Sequence, residues 1–588
     1  MKVVEDKSDV LVIGSGMGGV RAAIEAGRAG LKTLLVDKSI LARASASIYA
    51  GSLVVRKFPE YLLKMGLDIP QGLDLEVPLD QSFRHFVADG ARTGGSEYTA
   101  NQRVSMTVAC EMERRGDELR DFGVKDVYTQ RWLGPPGLWG RNIMLPLVQY
   151  VKKIGVRTRE MTMITDLIRQ GEEIIGALGF DLRNGHVVVI QAKSVVVATG
   201  SHGQIYERAY APIRMTADGF AMAYRAGSTL SDMEMMGFDN WGIAEPGLPQ
   251  YWIPPSIART YGVLRNAKGE LFFLKYAQEH GIVGKGATLS LDDNLHRRYG
   301  RPYIELIPHL IKACQKEILE GRGDNGAVFL DLTRVPQERW HLDSKGVFTL
   351  NILRGFDLKE RPLRVAPICI GDFKGGGVRI DERGRTDLKG LFAAGDVSPG
   401  SSLLYALMTG VLSGRGAVNR ALELSMPRID TQTGEWIEDR KGTLDTILHR
   451  KASEHGDPRK IKAKVKSIMW RCGGPLRHEE GLREGIEDLK EIKEELLPTI
   501  SASGSLRGLR EAVEAINMVT VGQMILTSSH YRTESRGYCQ RVDYPQRDDK
   551  HWLKNTIITK EEGGMKLETT PVELLFIGPD EQREEGGR

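Results

Sequence analysis

Residues 9–14 form a short apolar run that predicts a buried strand. Residues 18–30 follow with Val20, Ala23, Ile24 and Gly27 on one helical face, and 33–36 make a second apolar strand. Strand, helix and strand in that order predict a βαβ unit and a parallel sheet. Further strands are predicted at 173–180, 186–192 and 194–198, then a helix over 216–227. From about 240 to 355 the pattern turns aromatic and proline-marked (Trp241, Tyr251, Trp252, Pro254, Pro255), with a helix at 303–319 and a strand at 327–332. The opening texture resumes with LKGLFAAGD at 388–396 and a long apolar helix over 402–422. Beyond 426 the chain is charged, with helical periodicity near 457–470, 477–497 and 505–528, and the terminal PDEQREEGGR is predicted to be disordered. The basic stretch 450–466 reads as a solvated helix face.

These changes of texture divide the chain into a split first domain (1–240 and 356–425), an inserted domain (241–355), a helical domain (426–545) and a C-terminal extension with a tail (546–588). Composition narrows the function classes. The 81 Lys and Arg against 77 Asp and Glu leave a net charge of +4, which is no electrostatic footprint for nucleic acid. Five dispersed cysteines without a CxxC pair argue against a disulfide framework and against a thiolate-bound metal or cluster within this chain. No apolar run approaches the roughly 18 residues of a membrane span, and acidic residues stand near the start where a signal peptide carries positive charge. A cytoplasmic protein is expected, with no direct membrane insertion; any membrane contact would come through a partner. The 67 glycines in 588 residues exceed the average of about 7% and point to tight turns and close backbone approaches.

The segment VLVIGSGMGG holds GxGxxG at Gly14, Gly16 and Gly19, directly between a strand and a helix. Gly14 permits the tight turn, Gly16 lets the backbone approach a pyrophosphate, and Gly19 allows close helix–strand packing. The helix N-terminus offers unpaired N–H groups and a positive dipole end to the phosphates. Asp37 ends the second strand, 23 residues after Gly14, and is placed to accept hydrogen bonds from a ribose diol. Together these predict a dinucleotide site. VVVATGSHG (195–203) and GLFAAGD (390–396) resemble the two later signatures of the glutathione-reductase-like FAD fold, which selects FAD over NAD. In that resemblance Gly395 opens the ribityl turn and Asp396 bonds a hydroxyl. The helix beginning at Ser402 and Leu403 directs its positive end at the flavin ring.

Most of the chain resembles the succinate dehydrogenase/fumarate reductase flavoprotein superfamily, which also includes L-aspartate oxidase and the adenylylsulfate reductase flavin subunit. The segments carrying this are MTADGFAMAYRAGSTLSDMEM (215–235), EGRGDNGAVFLDL (320–332), IMWRCGGPLRHEEGLREGIEDL (468–489) and RTESRGYCQRVDYPQRDDKHWLKNT (532–556). The fold implied is α/β: a Rossmann FAD-binding domain with an inserted α+β capping domain and a C-terminal helical domain. The resemblance implies cofactor contacts at Gly14, Ser15, Gly16, Gly18, Gly19, Asp37, Lys38, Ser45, Gly51, Ile164, Thr199, Gly200, Asp218, Gly395, Asp396, Ser402 and Leu403. The last block, 532–556, is expected to be structural, with Arg and Asp networks pinning a tail onto a domain surface.

Departures from the family are equally informative. Ser45 stands where covalent members carry the flavin-linking His, so the FAD is expected to be non-covalent. Asp239 replaces the substrate-binding His, Ile307 replaces the proton-handling Arg, and Asp372 falls near a further His. The segment SPGSSLL lacks the second carboxylate-binding Arg. A dicarboxylate site needs cations and donors, and acids at 239 and 372 repel its substrate.

The candidate catalytic groups are Asp239, Arg259 and Asp372, with His202, Trp241, Tyr251, His309, Lys374 and Tyr405 on the expected flavin face. Trp241 and Tyr251 would suit a planar or apolar substrate. His309 reads more simply as a buried, hydrogen-bonded His, and Cys369 is either a redox-active thiol near the flavin or, more simply, a buried inert one. The expected function is an FAD-dependent oxidoreductase. It would be the flavin subunit of a complex exchanging electrons between an organic substrate and a partner iron–sulfur protein, outside standard succinate/fumarate chemistry. The alternatives are a non-catalytic electron relay or scaffold, or an adenylylsulfate-reductase-like subunit.

Overall fold

Strand Val3–Ile13 lies at the centre of a seven-stranded sheet, because its apolar second half can be buried on both faces. The structure is a computed structural model that describes residues 1–50, 97–125, 140–254, 257–258, 261–280, 303–341, 344–400, 402–451 and 455–575. On one side Val10 to Ile13 pair in parallel with Thr33 to Val36, which pair in turn with Arg157–Arg159. On the other side Val3–Ile13 runs parallel to Val187–Val197 over most of its length. That strand also pairs in parallel with Leu391–Ala393 and antiparallel with Glu173–Asp181, and Thr162–Gln170 forms the edge. The segment after 355 thus returns a strand to the first sheet.

The helix Met17–Arg28 follows the Gly-rich turn, two residues earlier at its end than its periodicity predicts. It packs against Leu403–Glu423 at very short range. A Cβ on Gly410 would stand 2.5 Å from the Gly18 carbonyl oxygen, and one on Gly414 would stand 2.8 Å from Ala22 Cα. Small residues at positions 410 and 414 let the two helices touch along their backbones.

The inserted segment builds its own core, in which Trp241, Trp252, Leu310, Cys314, Val328, Trp340 and Ile368 are buried together. Its sheet runs Val263–Arg265, Val328–Asp331, Leu363–Lys374, Ala209–Tyr210, with Met236–Ile243 paired antiparallel to Leu363–Lys374. The helix Tyr303–Leu319 lies where the apolar periodicity places it.

After residue 430 the helices are Thr431–His449, Pro458–Gly473, Glu479–Glu491 and Leu506–Tyr531. Their apolar faces merge with the core of the first domain. Two features differ from expectation. The basic stretch is not a uniformly solvated face: Lys462 turns inward to Glu514 at 2.6 Å, and Lys466 donates to Gln204 Oε1 at 2.7 Å. The extension also contains a hairpin, Lys554–Glu561 with Gly564–Pro571, which pairs through Ile557 and Ile558 with Leu230–Ser231. The tail 579–588 lies outside the described residues.

The 532–556 block is more deeply integrated than a pinned surface tail. Arg532, Arg536 and Arg541 are wholly buried. Arg532 Nε reaches Glu234 at 2.7 Å, Arg536 Nε reaches Glu534 at 2.7 Å, and Arg541 Nη2 reaches Asp543 at 2.7 Å. No helix among the described residues is long and apolar enough to cross a membrane.

Candidate cofactor cleft

Several separate chain segments converge on a cleft above the carboxyl ends of the parallel strands, where open α/β sheets bind ligands. Gly14, Ser15, Gly16 and Gly18 line it, with Asp37, Lys38, Ser45, Ile164, Thr199, Gly200, Asp218, Gly395 and Asp396. Gly14 has φ +105°, and a Cβ there would lie 2.2 Å from the Ala198 carbonyl oxygen. A Cβ on Gly16 would meet nothing closer than 3.5 Å, so its open side faces the cleft. Gly19 does not line the cleft. It is the packing glycine, with a Cβ position only 1.8 Å from the Gly14 oxygen.

Asp37 ties this turn to the second strand. Its Oδ2 accepts from Ser15 N at 2.8 Å and Ser15 Oγ at 2.5 Å, and its Oδ1 accepts from Ser39 N at 2.7 Å. A carboxylate offers about four acceptor sites, so room for one further donor remains. Ser45 is buried and donates to the Ala42 carbonyl at 2.8 Å. Thr199 Oγ1 is buried with no hydrogen-bond partner among the described residues, an orphaned polar atom on a residue of the lining.

The late turn is fixed from below: Gly395 N donates to Thr409 Oγ1 at 2.9 Å, and Ser398 Oγ donates to the Gly395 oxygen at 2.8 Å. Ser402 begins the helix Leu403–Glu423 with φ +107°, a conformation that favours glycine, while its Oγ accepts from Tyr405 N at 3.2 Å. Strain of this kind survives only where surrounding structure imposes it. Ser402 and Leu403 stand at this helix start without joining the cleft lining.

Sequence reading missed Arg214, which is half-buried in the lining and, with Lys38, supplies its positive charge. It sits in an irregular stretch with no motif to mark it. Ser47, also missed, accepts from Met17 N at 3.0 Å. Glycine turns, helix N-termini, two cations and the orphaned Thr199 hydroxyl fit a dinucleotide with a pyrophosphate.

The expected catalytic Asp239 stands apart from the cleft. Asp239 lies on Met236–Ile243, opposite Ile368 and outside the cleft lining. It is 1% exposed, and its carboxylate accepts from Asn240 N at 2.7 Å and from Trp252 Nε1 at 3.1 Å. Trp241 is wholly buried in the inserted core and presents no stacking face, while Tyr251 packs edge-on to Tyr210 at 5.1 Å. Asp372 lies on the strand Leu363–Lys374; its side chain, that of Lys374, and Arg259 and Gly51 lie outside the described residues. The strand does reach the cleft's edge. Gly203, just past the Ala-Thr-Gly turn, packs so tightly that its Cβ would lie 2.8 Å from Gly371 Cα. His202 is buried edge-on to Phe220 at 4.6 Å, and His309 is half-buried 6.2 Å from the Tyr276 ring. Burial pushes the Tyr405 hydroxyl up to about 12. Cys369 is wholly buried.

Comparison with known proteins agrees with this geometry. The FAD binding domain family matches residues 129–411, and the fumarate reductase flavoprotein C-terminal family matches 462–584. The chain is 27% identical over 582 residues to an FAD-dependent oxidoreductase of Methanocaldococcus jannaschii, covering 94% of this chain and 96% of that one. It is 26% identical over 577 residues to a subunit of the CoM/CoB fumarate reductase of Methanothermobacter marburgensis, covering 94% and 97%. Its fold superposes on E. coli quinol fumarate reductase FrdA with a TM-score of 0.80 at 23% identity, covering 98% of each chain. The cleft, the two family matches and the shared fold make this chain an FAD-dependent oxidoreductase, a divergent member of the succinate dehydrogenase/fumarate reductase flavoprotein superfamily.

Proposed function

We propose that the chain is the flavin subunit of a multisubunit redox complex, exchanging two electrons with an organic substrate other than succinate or fumarate and passing them to a separate iron–sulfur protein. Bound FAD would supply the two-electron and one-electron chemistry that links such partners. The Gly14–Gly19 turn and its helix would hold the pyrophosphate. Asp37 would hold the ribose, and the Ser402 helix start would favour negative charge near the flavin ring. The observation that carries the reading is Asp239. A buried carboxylate occupies the position where the family resemblance calls for a substrate-binding His, and it would repel a dicarboxylate. The five cysteines are all buried, on different elements, so thiolates for a cluster would come from another chain.

A second reading is a non-catalytic electron relay. It draws on the same residue, because Asp239 is already engaged by Trp252 and the Asn240 amide. Purification from the native host, followed by iron and sulfide analysis of co-purifying subunits, tests the partner. Bleaching of the flavin by a panel of dicarboxylates, enoyl-thioesters, quinones and adenylylsulfate tests the substrate. Loss of that bleaching in Asp239→Asn favours the enzyme, and unchanged bleaching assigns the chemistry elsewhere. Efficient turnover of succinate or fumarate would overturn the reading.

A further inference from the structure

Lys38 and Asp218 both line the cofactor cleft, yet neither is held in place by the first domain alone. Lys38 Nζ donates to Asp218 Oδ2 at 2.6 Å and to Thr216 Oγ1 at 2.8 Å, and its third bond goes to Glu514 Oε1 at 3.3 Å. Asp218 Oδ1 accepts from Asn517 Nδ2 at 2.9 Å. Glu514 and Asn517 are three residues apart on the helix Leu506–Tyr531, so they share a face, and both are buried. Each is secured from behind. Glu514 Oε2 accepts from Lys462 at 2.6 Å, and Asn517 Oδ1 accepts from Arg225 Nη1 at 2.9 Å, whose Nε reaches Asp166 at 2.9 Å.

We propose that Glu514 and Asn517 are positioning residues for the FAD cleft, so that cofactor binding and docking of the C-terminal helix are reciprocally coupled. The coupling rests on the FAD assignment of the cleft. Without Glu514, Lys38 loses one of three acceptors and keeps its ionic pairing to Asp218 alone. Without Asn517, the other Asp218 oxygen loses its donor. Either change loosens the cation–carboxylate pair that faces the cofactor. By linkage, FAD that orders this pair must also tighten the helix that holds it.

The test uses full-length protein freed of flavin and titrated with FAD by quenching of flavin fluorescence. Glu514→Gln is expected to weaken FAD at least about tenfold. Glu511→Gln, one turn earlier and paired with Arg507, is expected to leave it unchanged. Lys38→Met combined with Glu514→Gln should bind no more weakly than Lys38→Met alone, a non-additivity that a merely structural Glu514 would not produce. In the unaltered protein, FAD should slow amide hydrogen exchange across 506–531. Should Glu514→Gln fail to fold, that exchange measurement decides. Unchanged exchange on adding FAD, or a Glu514→Gln affinity within about twofold of the unaltered protein's, overturns the proposal. An unaltered protein that takes up no FAD would instead overturn the cofactor assignment.

Discussion

Gly18 and Gly395 meet backbone to backbone: a Cβ placed on Gly18 would stand 2.9 Å from the Gly395 nitrogen. The first and last nucleotide signatures of the chain are therefore one physical unit. The amide of Gly395 is bonded to Thr409 and its oxygen to Ser398, so the late turn has little freedom to retreat. Gly18→Ala is expected to displace the Asp396 turn and weaken FAD by about tenfold or more, equivalent to about 1.4 kcal/mol. Fluorescence titration measures it.

Arg532 and Glu234 form a pair with both side chains wholly buried, extended by Glu534 and by Thr556 donating to Glu234 Oε2 at 2.8 Å. Removing Glu234 takes from the buried Arg532 its 2.7 Å partner at a place where no solvent replaces it. Glu234→Ala is expected to cost about 3–5 kcal/mol in denaturant unfolding. A loss below about 1 kcal/mol, the range of a surface pair, would contradict the buried network.

Two carboxyls contribute to the acid limit. Burial would raise Glu514, but Lys38 and Lys462 overcome it and hold the group at about 2. Burial likewise opposes Asp543, which its bond to Arg541 brings to about 2. A folded value below the unfolded one means that the stabilisation is complete above the ordinary carboxylate range. It is lost as pH falls through that range toward 2. Stability should therefore drop steeply below about pH 4.5, and the double variant Glu514→Gln, Asp543→Asn should show a flatter acid limb in pH-dependent melts.

Ser45 carries a hydroxyl committed to the Ala42 carbonyl, with no imidazole at that position to join the flavin. Acid precipitation should release the flavin to the supernatant. Yellow colour retained in the pellet would show a covalent bond.

Burial raises the thiols of Cys110, to about 12, and of Cys314, and all five cysteines are enclosed. Thiolates are the reactive form, so the folded protein should react with a thiol reagent only on the unfolding timescale. Rapid labelling of Cys369 would revive a redox role for it.

The cleft was legible at Gly14, Gly16, Asp37, Thr199, Gly200, Gly395 and Asp396 because each does its work through local backbone geometry that spacing records. The hairpin Lys554–Glu561 with Gly564–Pro571 was overlooked although Glu562 and Gly563, followed by Gly564, join two alternating runs, a recognisable turn signal. Trp241 was misleading, since an aromatic side chain beside a site and one inside a core look the same in a sequence.

By itself the sequence determined the dinucleotide-binding βαβ unit, because glycine turns and strand and helix periodicity are dictated by neighbouring residues, and its choice of FAD followed from the resemblance of 195–203 and 390–396 to known signatures. Only the tertiary structure decided that Glu514 and Asn517 support Lys38 and Asp218, that Arg532 neutralises Glu234, and that Gly203 abuts Gly371. Those relations join residues from different segments, and the strength of a buried charge or a close backbone contact depends on what the folded chain brings beside it.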